Sequence, residues 1–196
     1  EGPPSAGEFA LYNTDLDLPY RLKDYTPAPS AQRIEVDLRG DYSFYTYIKE
    51  EDMDIRFHLW DINKNKEKDD AYLDVYHQGE LIRSSSISGD GITEDTGEIS
   101  ELGAQELRLK DLPEGVYKVE LRANDDIVTD RIVSSQKKLS FVHGVRLAHS
   151  GIFPEKKEGE YPMSVYTTSE NIGGKTIYPD SLQTIEIKGE EEGSLV

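Results

Sequence analysis

The sequence contains no cysteine. That excludes disulfides, a thiolate nucleophile and cysteine-held zinc together. Secreted chains of this size can fold without disulfides, so the lack of cysteine fixes no compartment. Basic residues are scarce: 22 Lys and Arg stand against 39 Asp and Glu, a formal net charge of -17. A phosphate backbone needs a basic surface, so nucleic acid is not an expected partner. Anionic lipid is disfavoured for the same reason. No apolar run approaches the roughly 20 residues of a membrane-crossing helix, and no direct membrane insertion is expected. The four histidines, His58, His77, His143 and His149, lack the short spacing of a zinc motif. G-x-S-x-G, H-E-x-x-H and a phosphate loop are also missing. The expectation is a protein that is not an enzyme, with glycan hydrolysis or elimination as the remaining enzymatic class.

What the chain does have is alternation. Hydrophobic residues make up only 36%, but they are dispersed in short period-2 runs that mark half-buried strands. Met53, Ile55, Phe57 and Leu59 alternate with Asp54, Arg56, His58 and Trp60. Leu73 and Val75 alternate with Tyr72, Asp74 and Tyr76, and Tyr76 to Leu81 reads as a tight turn into a further strand. Ile34, Val36 and Leu38 form an earlier run. In Tyr42 to Lys49, Phe44 and Ile48 point one way and Tyr45 and Tyr47 the other. Leu112-Pro113-Glu114-Gly115 has turn chemistry and leads into Val116 to Ala123, where Tyr117, Val119 and Leu121 face inward. Ile127 to Val133 and Leu139 onwards continue the pattern, with His143 and His149 in phase with Leu139 and Phe141. Ser84 to Gly103 is expected to be a long loop.

No stretch has the pattern of an amphipathic helix. The expectation is an all-β fold, an antiparallel β-sandwich of jelly-roll or immunoglobulin-like kind. Residues 1–30 carry five of the nine prolines and several scattered large apolar residues, which suits an extended arm lying on the domain. Residues 31–150 form the sandwich domain. Residues 151–196, with strand candidates at Tyr161 to Thr167, Thr176 to Tyr178 and Gln183 to Lys188, form a C-terminal β-hairpin extension or open a second module. The start, EGPPSAGEF, fits a processed product or a piece of a longer chain.

Two sets of residues carry chemistry. Asp61, Asn63, Asn65, Glu67, Asp69 and Asp70 place oxygen-bearing side chains at alternate positions of one loop, which can converge on a hard cation such as Ca²⁺. The loop is not an EF-hand, because Lys66 stands where glycine is required and Tyr72 where a bidentate glutamate is required. The competing reading is a solvated hairpin loop in which Lys64, Lys66 and Lys68 are the counter-ions. Asp90, Glu94 or Asp95 would strengthen the metal reading if they reached the same rim. Trp60, Tyr72 and Tyr76 form the second set. On the outward face of one hairpin they would make an aromatic platform for stacking sugar rings, unless the arm or the C-terminal segment covers them.

The run Leu112-Pro113-Glu114-Gly115-Val116-Tyr117-Lys118-Val119-Glu120-Leu121 resembles the L-x-x-G-x-Y-x-V-x-L strand entry of β-sandwich and jelly-roll modules in secreted and cell-surface proteins. Pre-peptidase C-terminal domains and carbohydrate-binding modules both show it. The Asp61-Ile62-Asn63 step followed by acids is similar to the metal-rimmed loops of such modules. The resemblance implies an extracellular or cell-surface module of structural or adhesive kind. Its partners would be other domains or subunits of a surface assembly; the alternative is a carbohydrate-binding module, with glycan as partner, attached to a glycan-active enzyme.

Overall fold

The computed structural model describes residues 9–12, 21–35, 37–66, 68–148 and 163–165. Twelve strands run through these described residues: β1 Phe9–Tyr12, β2 Gln32–Ile34, β3 Leu38–Arg39, β4 Tyr42–Ile48, β5 Met53–Asp61, β6 Ala71–His77, β7 Glu80–Ile87, β8 Ser100–Leu109, β9 Gly115–Arg122, β10 Ile127–Ser134, β11 Ser140–Val142 and β12 Met163–Val165. They form two sheets, ordered β12-β1-β11-β4-β9-β6-β7 and β2-β10-β5-β8, with β3 also paired to β10. Four antiparallel pairs are nested: β3 with β10, β4 with β9, β5 with β8, and β6 with β7. One long ribbon, turned at β6–β7 and wound so that its pairs fall alternately in the two sheets, produces this order. It is jelly-roll topology. The expected antiparallel sandwich is therefore the fold, in its jelly-roll form. One margin departs from antiparallel pairing, since β1 runs parallel to both β11 and β12.

Local chemistry accounts for the ribbon. At its tip Gln78 and Gly79 have φ of 51° and 83°, the left-handed pair that a two-residue type I′ turn requires. The turn into β9 is closed by Tyr117, whose hydroxyl donates to the Pro113 carbonyl at 2.7 Å, a tyrosine corner in form. Gly115 is dictated by packing: a Cβ there would lie 2.9 Å from Cε1 of His77, whose ring stacks on Tyr117 at 4.3 Å.

The core lies between the sheets. Phe57, Leu59, Leu73, Val75, Tyr117, Val119, Leu121 and Phe141 are all buried there, as their alternation predicts. β4 is buried on both faces. Phe44 and Ile48 enter the core, while Tyr45 and Tyr47 pack under Leu22 and Tyr25. Tyr25 donates to Glu51 at 2.7 Å. This end of the Pro-rich segment thus lies on the domain.

Several expectations need correction. The loop expected over Ser84 to Gly103 is shorter, because β7 extends to Ile87 and β8 begins at Ser100. Both strands overhang the core: of β7 only Ile87 is buried, and of β8 only Leu107. Strands with so little to bury show no apolar alternation. The run from Gln32 divides into β2 and β3, and Val36 lies outside the described residues. His143 is exposed with a φ of 65°, just past the end of β11, rather than in phase with the core. The strands expected at Thr176 to Tyr178 and Gln183 to Lys188, and His149, lie outside the described residues.

The burial contrast predicts a stability contrast. Leu121→Ala should cost about 2–5 kcal/mol in urea denaturation, as a large-to-small change in a closed core. Leu81→Ala, on the overhanging strand, should stay within about 0.5 kcal/mol of the parent.

Candidate metal centre

At one end of the sandwich three sheet-crossing connections meet: 62–70 from β5 to β6, 88–99 from β7 to β8, and 123–126 from β9 to β10. The pairing brings them together. Ile127 stands opposite Asp61, so the start of β10 lies beside the end of β5. The Ile62 amide donates to the Asp126 carbonyl at 3.0 Å, closing the corner.

Asp61, Asp69 and Asp126 converge here. Each offers a carboxylate oxygen, these oxygens lie within 4.8 Å of one another, and all three residues are buried. The backbone sets their orientation. Asp61 Oδ1 accepts from the Asn63 amide at 3.1 Å, and Asp126 Oδ2 accepts from the amides of Lys64, at 2.7 Å, and Asn65. Asp69 Oδ1 accepts from Asn124 Nδ2, and Asn124 Oδ1 accepts in turn from the Asp126 amide. The second oxygens of Asp61 and Asp126, Oδ2 and Oδ1, are buried and take no hydrogen bond from the protein. The side-chain carbonyl of Asn63 is in the same position, and Asn63 itself is fully buried.

Asn63 also fastens the 88–99 connection. Its Nδ2 donates to Asp90 Oδ2 at 2.8 Å and to the Glu98 carbonyl at 2.9 Å. Its backbone carbonyl accepts from the amides of Thr96 and Gly97. Its φ of 46° is a left-handed value that asparagine tolerates better than most residues. Gly89 allows the close approach of this connection, since a Cβ there would stand 2.8 Å from the Asp69 carbonyl.

The sequence-predicted donors divide. Asp61, Asn63 and Asp69 meet. Asn65 contributes its amide, with its side chain half-buried. Asp70 stands half-buried at the rim, paired with Lys68 at 2.6 Å, so local pairing by an interleaved lysine does occur there. Glu67 lies outside the described residues. Asp90 reaches Asn63, whereas Glu94 and Asp95 are exposed. Asp126 was missed; only the nested pairing, which carries it across 65 residues to Asp61, reveals it. The loop itself is not the fully solvated hairpin that its charges suggest, because Asp61, Ile62, Asn63 and Asp69 are buried.

The aromatic trio does not form one platform. β5 and β6 belong to different sheets, so no hairpin joins Trp60 to Tyr72 and Tyr76. Trp60 packs with Ile62, Val128, Ala148 and Ile99, and meets the ring of His58 edge-on at 5.6 Å. Tyr72 and Tyr76 share an outer face of the other sheet, with Arg122 over one ring at 4.9 Å and Lys118 over the other at 5.9 Å. Sequence reasoning also missed the setting of His58, whose Nδ1 and Nε2 lie 2.6 Å from Asp130 and 2.8 Å from Glu101.

Electrostatics at the acidic corner are costly. Two unit charges 4.8 Å apart repel by about 3.5 kcal/mol at an effective dielectric of about 20. Three such pairs, at about 10 kcal/mol, rival the whole net stability of a typical domain. Burial pushes the Asp61 carboxyl up to about 6; the charges of Asp69, Asp90 and Asp126 add to this, and the Asn63 amide opposes it. At Asp90 burial also favours the neutral form, but bonds from Ser100, Asn63 and the Ile92 amide outweigh it and hold the carboxyl below its usual range.

No protein-family model matches the chain, and no curated protein matches it. Among solved structures, the tryptic core of a Bacillus thuringiensis Cry1Da variant is similar at 17% identity, over 55% of this chain and 17% of that one, with a TM-score of 0.26. That overlap is too loose to carry fold or function.

The raised Asp61 value sets a pH dependence. The folded state holds a proton that the unfolded state releases between pH 3.8 and about 6. Stability from this group is therefore full at low pH and falls as pH rises through that window. In chelator, the urea midpoint should be lower at pH 7 than at pH 5, and Asp61→Asn should flatten the difference.

Proposed function

We propose that this chain is a non-enzymatic module of an extracellular or cell-surface protein, used for structure or adhesion through contacts with other domains or subunits of an assembly. The observation that carries the reading is β7. It ends its sheet, pairs with β6 on one side only among the described residues, and exposes Leu81 and Ile82 at 54% and 43%. A long edge with exposed aliphatic side chains is a template for strand addition, unless charge or cover blunts it. Glu80 and Arg83 supply some charge, but of opposite sign, which suits an antiparallel partner edge of the same kind.

A second reading, a carbohydrate-binding module, rests on Tyr72 and Tyr76, which share an outer face. It is the weaker one. Arg122 and Lys118 already sit over these rings, and Trp60 is on the opposite sheet.

Sedimentation velocity over a concentration series, paired with a glycan array, decides between them. The first reading expects self-association that Leu81→Lys or Ile82→Lys abolishes, with an unchanged melting temperature and a blank array. A monomer at every concentration that binds a glycan, and loses it in Tyr72→Ala, would establish the second reading instead.

A further inference from the structure

We propose that Asp61, Asp69 and Asp126, with the side-chain carbonyl of Asn63, form a calcium site that staples the three sheet-crossing connections at this end of the jelly roll. This does not rest on the module's role at a surface. Two observations support it independently of the acidity of the corner. First, the buried oxygens of Asp61, Asp126 and Asn63 that take no protein hydrogen bond sit on residues whose other polar atoms are fully engaged. Backbone amides fix the inner oxygens of Asp61 and Asp126 and leave the outer ones bare, which is how a metal ligand is held and not how a buried acid is neutralised by the protein. Second, the donors come from two different connections, and Asn63 ties in the third. A cation bound here would bridge parts of the chain more than 60 residues apart.

The donor chemistry selects the ion. All four groups are hard oxygens, three of them anionic, with neither cysteine nor histidine among them, which disfavours zinc and copper. Calcium accepts roughly six to eight oxygens in loose geometry, so four protein donors leave part of its shell to water. Magnesium prefers to keep several waters in strict octahedral order, and a buried corner rich in carboxylates suits it less.

The site should also govern the 88–99 connection. Asn63 would face the ion with its Oδ1 while its Nδ2 holds Asp90 and Glu98. An ion pulling on Oδ1 fixes the amide plane, and with it both donor bonds. Loss of calcium should therefore loosen a connection whose Glu94 and Glu98 are exposed.

The test uses the whole chain, stripped with chelator and titrated with calcium. Calorimetry should report binding, and the melting temperature should rise by about 5–10 °C at a hundredfold excess over Kd. Asp126→Asn keeps an acceptor for the Lys64 and Asn65 amides but removes one charge. It should therefore melt higher than the parent in chelator and lose the calcium response. Asp70→Asn, at the rim, should respond like the parent. Cleavage by a Glu-specific protease at Glu94 and Glu98 should slow on adding calcium in the parent but not in Asp126→Asn. Equal melting of the parent in calcium and chelator overturns the proposal. So does calcium binding that survives in Asp126→Asn, because the ion would then sit elsewhere. Asp61→Asn is the second probe of the same donors should Asp126→Asn fail to fold, and a calcium response retained there overturns it equally.

Discussion

Three carboxylates share one buried corner, and the rest of that end of the molecule is arranged around the problem they pose. Charge removed from water is expensive unless something of opposite sign, or a proton, accompanies it. The backbone answers only in part. Amides of Asn63, Lys64 and Asn65 satisfy one oxygen each of Asp61 and Asp126, and Asn124 satisfies one of Asp69. These bonds determine where the acids point but leave the summed charge at the corner as it was. A proton on Asp61 and a divalent ion are the two remedies left, and they compete for the same oxygens. On the proposed calcium reading, stability at this corner is linked to both pH and the ion with opposite preferences: acid favours the proton, neutral pH the ion.

The corner exists because of the winding. A jelly roll pairs its strands in nested order, so residues far apart in sequence meet wherever the ribbon passes from one sheet to the other. Asp61 ends β5, Asp69 precedes β6 and Asp126 precedes β10; each flanks a sheet change. Crossing connections have few ladder bonds of their own. Those that exist here, such as Ile62 to Asp126 and Gly40 to Ile127, are single backbone bonds at the corners. Polar side chains at these positions replace the missing ladder.

Much of the fold was legible in the sequence, and less of the site. Period-2 runs such as Phe57–Leu59 and Tyr117–Leu121 announce both strand and buried face, because alternation is a local property. The Gln78-Gly79 turn was legible for the same reason. Which sheet a strand joins is not local. The run at Met53 and the run at Tyr72 read as one hairpin, yet a nine-residue connection carries the chain across to the other sheet, and the aromatic platform disappears with that step. Asp61, Asn63 and Asp69 were legible as donors because one connection holds them all. Asp126 was not, since only the register of β10 against β5 places it there. The start of β7 was legible from its turn, but its second half, from Ser84, was read as loop because an overhanging edge buries almost nothing and so carries no apolar signature.

The acidic corner and the open edge are mechanically joined. β7 owes its position to β6 and to its own two ends, since Ile87 is its one buried residue. The far end is the two-residue turn. The near end pairs Ile87 with Ala71, directly after Asp69 and Asp70, and enters the 88–99 connection at Gly89, packed against the Asp69 backbone. Asp90, one residue on, is held by Asn63. Whatever balances the charge of Asp61, Asp69 and Asp126 therefore sits directly beside the root of the overhanging strand. A ribbon with little core beneath it has low local stability, and its frame is set by such anchors. The edge that could receive a partner strand is paired along its length with β6, and its root is anchored by Asn63 on Asp90 and by Gly89 against Asp69, beside the buried acids.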